Sequence, residues 1–320
     1  EPIREYVLPR QGDTSAVDKL ADVLAEQGIE VKRATAPFRS GGKEYAAGSY
    51  VIPLAQPSKR LIRTLLDPNV AMEEPFVKEQ ERRRKKKLPD EIYDVTAWAL
   101  PLVYNVEAVA GSEVSKGNFE PVRAGSLPPG KVSGGRATVA YLVPWGTAAA
   151  GRLLTAALRE GLRLHSTDKP FTQNGRKYPS GTLILKVKEN PASLPETLAK
   201  LAASSGADVY ATDTGWVEEG VNFGSSQVVQ MRRPAIALAW DRPTSSGSTG
   251  WARFVLERQF GYPVTPVRTQ QLAFADLSRF QVLILPDSGF GDGYAAVFGA
   301  NGPKRLKDWV AAGGTLIGIG

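Results

Sequence analysis

An internal repeat is the feature of this sequence that most constrains its fold. Gly28 recurs as Gly161, 133 residues further along the chain, and neighbouring positions recur at the same offset. Repeated segments fold as repeated structural units, so the repeat sets the architecture before any other signal does. Segments 92–102 and 209–216 both carry Tyr, Thr and Trp in that order, which suggests that the repeat extends into them. The paired positions are Gly28 and Gly161, Pro37 and Pro170, Phe38 and Phe171, Gly42 and Gly175, Tyr45 and Tyr178, and Gly48 and Gly181.

Each copy of the repeat follows one plan. An apolar strand is followed by an amphipathic helix, a short strand, a glycine-rich turn, a stronger strand and a second helix. In the first copy, apolar residues recur at helical spacing between Val17 and Leu24. Asp13 or Thr14 can cap the start of this helix, and Gly28 suits its end. The order β-α-β-β-α predicts an α/β protein that contains two small sandwich modules.

The repeat and the composition divide the chain into three predicted regions. Residues 1–110 form the first module, which includes a basic loop at 78–90. Residues 111–233 form a linker and the second module, because 111–135 is rich in Gly, Pro and Ser. The remaining residues, 234–320, form a third α/β unit. Both ends of the chain are interpreted as cuts in a longer polypeptide, the second of them at the end of this unit.

The third region alternates apolar strands with helices, which predicts a parallel, doubly wound and flavodoxin-like sheet. Ligands of such sheets bind beyond the carboxyl ends of the strands. Asp241 and Asp287 follow two of these strands directly. The predicted strands are Ala235–Trp240, Tyr262–Val267, Phe280–Leu285 and Thr315–Ile319.

A candidate ligand pocket is therefore expected at Asp241, Asp287, Gly289 and Gly291. The two aspartates can form a paired-carboxylate site, or they can cap turns, and the second interpretation is favoured. The glycines follow a strand but lack the spacing of a phosphate-binding loop, which favours a flexible loop. Three tryptophans are expected in the core rather than as ligand platforms. They are Trp216, Trp240 and Trp251.

The positive charge of the chain is concentrated in one run. The net charge is +7, and six of the excess positive charges lie in this run. A run of like charges with no interleaved aromatic residues favours a solvated loop, with polyanion binding as the alternative, and no nucleic-acid partner is expected. The run consists of Arg82, Arg83, Arg84, Lys85, Lys86 and Lys87.

The side chains needed for several kinds of catalysis are missing. The chain has no cysteine and one histidine, His165, so a three-ligand zinc site is not expected, and no cofactor is expected within this chain. His165 falls where the first copy has Lys32, which predicts a solvent-facing histidine and leaves a serine triad without a base. No stretch is long and apolar enough to predict a membrane span.

Several phrases of the sequence resemble the region downstream of the catalytic domain in long bacterial carboxypeptidase A-like zinc peptidases. The resemblance covers nearly the whole chain, and the third region resembles a class I glutamine amidotransferase-like domain. The phrases are Pro37–Leu54 with Ala55-Gln56-Pro57, Tyr93–Pro101, Asp213–Trp216, Gly220–Ser225 and Phe254–Thr265.

The resemblance implies an accessory role beside a zinc-dependent peptidase. The His-x-x-Glu pair and later His that hold zinc in the family match no position here, so zinc is expected only in an upstream peptidase domain, the implied partner. The amidotransferase-like fold places its nucleophile after the strand corresponding to Thr315–Ile319, beyond Gly320. Such proteins are typically exported, which implies a periplasmic or secreted location. The first alternative function is that of a small-molecule-binding or residual amidotransferase-like domain, and the second is polyanion binding through 82–87.

Overall fold

The structure is a computed structural model that describes residues 2–68, 72–91, 99–289 and 293–320. It divides into two compact units, Glu1–Pro128 and Pro129–Gly320. Both contain helices and small β-sheets, so the chain is a mixed α/β protein. No helix in the described segments combines the length and apolar character needed to cross a membrane.

The first unit contains an antiparallel sheet flanked by helices. Its strand order among the described residues is β6-β1-β5-β2-β7. The strands are β1 (Glu5–Leu8), β2 (Lys32–Ala34), β3 (Phe38–Ser40), β4 (Lys43–Tyr45), β5 (Tyr50–Pro53), β6 (Val109–Gly111) and β7 (Phe119–Pro121), and the helices are α1 (Thr14–Glu26), α2 (Lys59–Leu66), α3 (Glu74–Lys85) and α4 (Leu100–Tyr104).

Helix α1 forms where the sequence predicts it. The Asp13 carboxylate accepts hydrogen bonds from the backbone N–H groups of Ser15 and Ala16, so Asp13 is the N-cap. The helix ends just before Gly28, whose φ of 73° lies in the left-handed region that glycine adopts at low cost. The apolar stripe of α1, with Leu20 and Leu24 at its centre, is fully buried in the core of the sheet.

The second unit begins with a sheet that repeats the strand order of the first. The order of its described strands is β8-β14-β9-β13-β10-β15. The last five of these strands occupy the same places as β6-β1-β5-β2-β7 in the first unit. The bounds are β8 (Val132–Ser133), β9 (Ala140–Val143), β10 (His165–Ser166), β11 (Phe171–Gln173), β12 (Arg176–Tyr178), β13 (Leu183–Lys186), β14 (Val209–Thr212) and β15 (Val229–Gln230), with helices α5 (Ala148–Arg159) and α6 (Leu194–Ser205).

The strand register extends the repeat further than sequence matching does. Strand β6 pairs with β1 as β14 pairs with β9, and β7 pairs with β2 as β15 pairs with β10. The structural counterpart of β14 is therefore β6. Residues 92–98 of the segment 92–102, which suggested an extension of the repeat, lie outside the described residues. The segment expected to be a linker, 111–135, contributes β7 to the first sheet and β8 to the second.

The glycine-rich turn of each copy is a β-hairpin, β3-β4 or β11-β12, packed over its sheet. In the first copy the rings of Phe38 and Tyr45 stack at 5.2 Å, and Phe119 meets Phe38 edge-on at 5.1 Å. The second copy repeats this arrangement at similar separations. The aromatic positions that reveal the repeat in the sequence therefore hold each hairpin in place. The second trio consists of Phe171, Tyr178 and Phe223.

A glycine lies against each aromatic trio. A Cβ atom on Gly117 would be 3.1 Å from Cβ of Phe38. A Cβ atom on Gly220 would be 2.5 Å from the carbonyl oxygen of Pro170 and 2.9 Å from Cα of Phe171. Because Gly220 also has a φ of 95°, its position excludes a side chain on two grounds.

The remaining sheet is parallel throughout, as the sequence predicts. Its described strands have the order β17-β16-β18-β19. The strands are β16 (Ile236–Trp240), β17 (Thr265–Arg268), β18 (Val282–Leu285) and β19 (Thr315–Gly318), and the helices are α7 (Ser246–Arg253), α8 (Thr269–Leu272), α9 (Gly293–Phe298) and α10 (Gly302–Ala311).

Helix α7 continues as a π-helical stretch that meets helix α5 within the second unit. A Cβ atom on Gly151 would lie 2.8 Å from the ring of Phe260, so the absence of a side chain at Gly151 leaves room for the ring. The Thr155 hydroxyl donates a hydrogen bond to the carbonyl of Phe260, and the Arg159 guanidinium donates one to the carbonyl of Gly261 at 2.8 Å. Helix α5 therefore contacts directly the segment that follows helix α7.

The prediction that three tryptophans belong to the core is wrong. Trp216 is 72% exposed, Trp251 is 67% exposed, and Trp240 is at the surface. Trp251 meets the ring of Phe254 edge-on at 5.5 Å, one helical turn away. The two residues share a helix face, and that face points to solvent.

Candidate ligand site

The candidate site lies at the carboxyl edge of the parallel sheet. Strands β16 and β18 are neighbours, whereas the next strand along the chain after β16, β17, lies on its other side. The chain direction across the sheet therefore reverses between β16 and β18. Crevices at such reversals are where open α/β sheets bind ligands.

Asp241 lies at this edge in a tight loop. Its φ of 81° is in the left-handed region, which Asp tolerates because its short side chain can bond to nearby backbone. One carboxylate oxygen accepts a hydrogen bond from the Arg242 N–H at 2.8 Å, and the other lies 3.6 Å from the Arg268 guanidinium. Its carbonyl accepts bonds from the N–H and hydroxyl of Thr244.

Asp287 bonds to the first turn of helix α7. Its N–H donates to the Ser248 hydroxyl at 3.1 Å, and its carbonyl accepts from the Ser245 N–H at 2.7 Å. Its carboxylate accepts from the Gly289 N–H, an Asx turn of the kind the sequence favours. Gly291, the fourth predicted pocket residue, lies outside the described residues.

A cleft of about 330 Å³ opens beside Asp241. Asp287 and Gly289 do not line it, so the structure brings the two aspartates to one edge but only Asp241 into the cleft. At the rim, the Arg253 guanidinium lies 5.3 Å from the ring centre of Trp240, within range of a cation–π contact. The lining residues are Trp240, Asp241, Arg242, Thr244, Ser246 and Thr249.

The chemistry of this cleft suits binding better than catalysis. It offers hydroxyls, one carboxylate and one guanidinium, which together can orient a polar ligand. The sequence pattern predicts the aspartates but not the hydroxyl residues Thr244, Ser246 and Thr249. A sequence signal for these hydroxyl residues exists, because a Ser/Thr-rich loop follows a buried strand and ends at Ser245, the N-cap of helix α7.

The prediction that His165 faces solvent is wrong, because the residue is only 8% exposed. The register confirms that His165 replaces Lys32, since each pairs with the corresponding residue of β5 or β13. A lysine at this position carries its ammonium out to Glu30, at 3.0 Å, whereas the shorter imidazole remains covered.

Burial leaves His165 poorly suited to act as a base. Its Nδ1 is buried and has no hydrogen-bond partner in the described structure, and its Nε2 lies 3.5 Å from the Glu189 carboxylate. Burial, followed by repulsion from Lys186, lowers the pKa of His165 below its ordinary value. Among the described residues, no hydroxyl forms a hydrogen bond with the ring.

The first four residues of the basic run are helical, so the prediction of a loop is wrong there, whereas the run is exposed to solvent as predicted except at the half-buried Arg83. Helix α3 includes Arg82, Arg83, Arg84 and Lys85 in its last turn, where their charges favourably oppose the helix dipole. Lys86 caps the helix, and Lys87 follows with a φ of 55°.

Three arginines of the run form local ion pairs. The Arg82 guanidinium lies 2.6 Å from Glu79, that of Arg83 lies 2.8 Å from Glu91, and that of Arg84 lies 3.0 Å from Asp90. Each acidic partner neutralises one cation, so the run presents less positive charge than its sequence indicates.

Metal binding finds no support in the described segments, where no cluster of three or more His, Asp or Glu side chains could hold an ion. A zinc ion therefore does not fit the residues that the structure describes. Comparisons of the chain with protein-family models, with curated proteins and with solved structures find no match.

Proposed function

We propose that this chain is a non-catalytic accessory region of a zinc carboxypeptidase-like protein, with folding, substrate presentation or cell-surface binding as its role. The sequence resemblance motivates the proposal. The observation that carries it is the environment of His165, the only histidine of the sequence: it is buried, its pKa is lowered, and its Nδ1 has no hydrogen-bond partner among the described residues. Under this proposal the partner is an upstream peptidase domain that binds the zinc, and the location is periplasmic or extracellular.

Metal content and peptidase activity test this proposal together. The purified chain is assayed for zinc by elemental analysis and for release of C-terminal residues from a peptide library. We expect neither bound zinc nor turnover, and the same result for a His165→Gln variant. Stoichiometric zinc with turnover that His165→Gln abolishes would overturn the proposal.

A second candidate function is the binding of a small polar molecule at the Asp241 cleft. Its support is the strand order of the parallel sheet, which equals the first part of the flavodoxin-like order 2-1-3-4-5. The cleft opens where that order reverses direction. A flavodoxin-like or amidotransferase-like assignment of this unit is part of the same proposal.

A thermal-shift screen against nucleotides, amino acids and organic acids tests this candidate. We expect Asp241→Ala to abolish the shift caused by any hit, because Asp241 lines the cleft. Asp287→Ala is the matched control, since its side chain faces its own loop, and it should retain the shift. The absence of a shift with every compound argues against the candidate.

A further inference from the structure

The first unit contains a polar cleft that plays no part in the functions proposed above. It has a volume of about 210 Å³ and lies beside β2, β5 and β7. This volume is below the usual range for sites of drug-sized ligands, so the cleft suits a small molecule. Its lining residues are Arg33, Tyr50, Glu120, Pro121, Val122, Arg123, Ser126 and Pro128.

Two guanidinium groups of the cleft retain unused donors. The Nε atom of Arg33 is buried and has no hydrogen-bond partner among the described residues. The nearest acid, Glu120, is 3.9 Å away from Nη1 of Arg33, at the limit of an ion pair. Arg123 is exposed and forms no ion pair within the described part of the chain. A buried donor without a partner is costly, which points to an acceptor that completes the site.

The wall of the cleft is held rigidly. The Tyr50 hydroxyl donates to the Asp18 carboxylate at 2.7 Å, and Arg10 donates two hydrogen bonds to the same carboxylate at 2.9 Å. The Gly125 N–H donates to the buried Asp22 at 2.6 Å, which fixes the turn that presents Arg123. The two arginines are therefore attached to preorganised backbone, a condition for selective binding.

The second copy of the repeat shows that the fold does not require this polar cluster. By register and offset, Ser166 replaces Arg33, Leu183 replaces Tyr50, Val229 replaces Glu120 and Gly151 replaces Asp18. The same sheet order forms with these neutral residues. Arg33 is partly buried and Asp18 is buried, and the second copy has uncharged residues at both positions, which indicates a role other than stability for these charges.

We propose that this cleft binds a small ligand through a carboxylate or phosphate group held between Arg33 and Arg123. Guanidinium groups match the geometry of both anions and bond to them in pairs. Ser126, which also lines the cleft, supplies a further donor. The half-exposed Glu120 competes with the ligand for Arg33, so the ligand must displace it. This inference is independent of the proposed function.

Amide and arginine Nε NMR spectra of the full chain test the proposal. Inorganic phosphate and succinate are titrated separately, with ionic strength held constant by sodium chloride. We expect a saturable shift of the Arg33 Nε signal and of the Ser126 amide with at least one of them. The arm that saturates at lower concentration identifies the preferred anion. The absence of saturable shifts in both arms would overturn the proposal.

Variants separate specific binding from general charge attraction. Arg33→Ser introduces the residue that the second copy of the repeat has at this position. We expect Arg33→Ser to weaken binding at least tenfold, and Arg123→Gln to do the same. Glu120→Gln should tighten binding, because it removes the competing carboxylate. Arg163→Gln removes the same charge from the second unit and should leave binding unchanged. Equal weakening by Arg163→Gln, or weaker binding by Glu120→Gln, would refute the assignment.

Discussion

Gly220 provides the sharpest test of the packing between each hairpin and its sheet. In a Gly220→Ala variant, the new methyl group would come within 2.5 Å of the Pro170 carbonyl oxygen and 2.9 Å of Phe171 Cα. Both contacts are to backbone, so no flexible side chain can move aside. The backbone of Gly220, with φ at 95°, is also strained for any L-residue.

Two costs combine in this variant. A residue with a side chain in the left-handed region costs roughly 1–2 kcal/mol. Forcing the extra carbon into a packed site costs about 1–3 kcal/mol more. We therefore expect the free energy of unfolding of the second unit to fall by about 2–5 kcal/mol. For a unit of this size, 1 kcal/mol corresponds to roughly 2–4 °C, so the Tm should fall by at least about 4 °C.

Differential scanning calorimetry of the full chain measures the effect, because two units need not unfold in one transition. Gly224→Ala is the matched control, since no atom lies within 4 Å of its new methyl group, and its stability should change by less than about 1 kcal/mol. Gly117→Ala, whose new methyl group would lie 3.1 Å from Cβ of Phe38 and 3.4 Å from the Phe119 ring, should fall between the two. The reasoning is refuted if Gly220→Ala melts no lower than Gly224→Ala.

Further predictions concern charge and pH. Burial and then Lys186 lower the pKa of His165, so the unfolded chain binds more protons and stability should fall as the pH drops below about 6.5. Because His165 is the only histidine, one imidazole NMR signal reports its pKa, and a value above 6.5 contradicts the prediction. Combining Glu79→Gln with Asp90→Asn releases two arginines of the basic run and should raise the salt needed to elute the chain from heparin; unchanged elution would contradict this. Tyr50→Phe should lower the free energy of unfolding of the first unit by about 1–2 kcal/mol in urea, because a buried aspartate loses a hydrogen bond, whereas an unchanged value would show that water replaces the hydroxyl.

The elements that sequence predicts best are those in which one periodic apolar pattern decides the structure. Helix α1 with its Asp13 cap is one example, and β16 and β18 of the parallel sheet are others. The hairpins were harder to predict, because β3 and β4 are only three residues each and their glycines resemble a plain turn. Their pairing depends on ring stacking against the sheet, which local sequence does not encode.

Other differences between prediction and structure arise where side-chain length, neighbouring charges or loop geometry decides the position of a residue. Register places His165 and Lys32 at equivalent positions, but side-chain length decides which of them reaches solvent. Like charges in the basic run argue for a loop, yet acidic residues one turn away and just beyond the helix permit a helix there. At the candidate site, sequence identified the sheet edge, but only the loop geometry decides that Asp241 and not Asp287 lines the cleft.

The missing side chain at Gly151 has a mechanical consequence. Because the Phe260 ring occupies the space that a side chain on helix α5 would fill, any rotation between that helix and the parallel sheet must first withdraw the ring. The hydrogen bonds from Thr155 and Arg159 would break in the same movement. We therefore expect helix α5 and the Phe260–Gly261 segment to move together in the second unit.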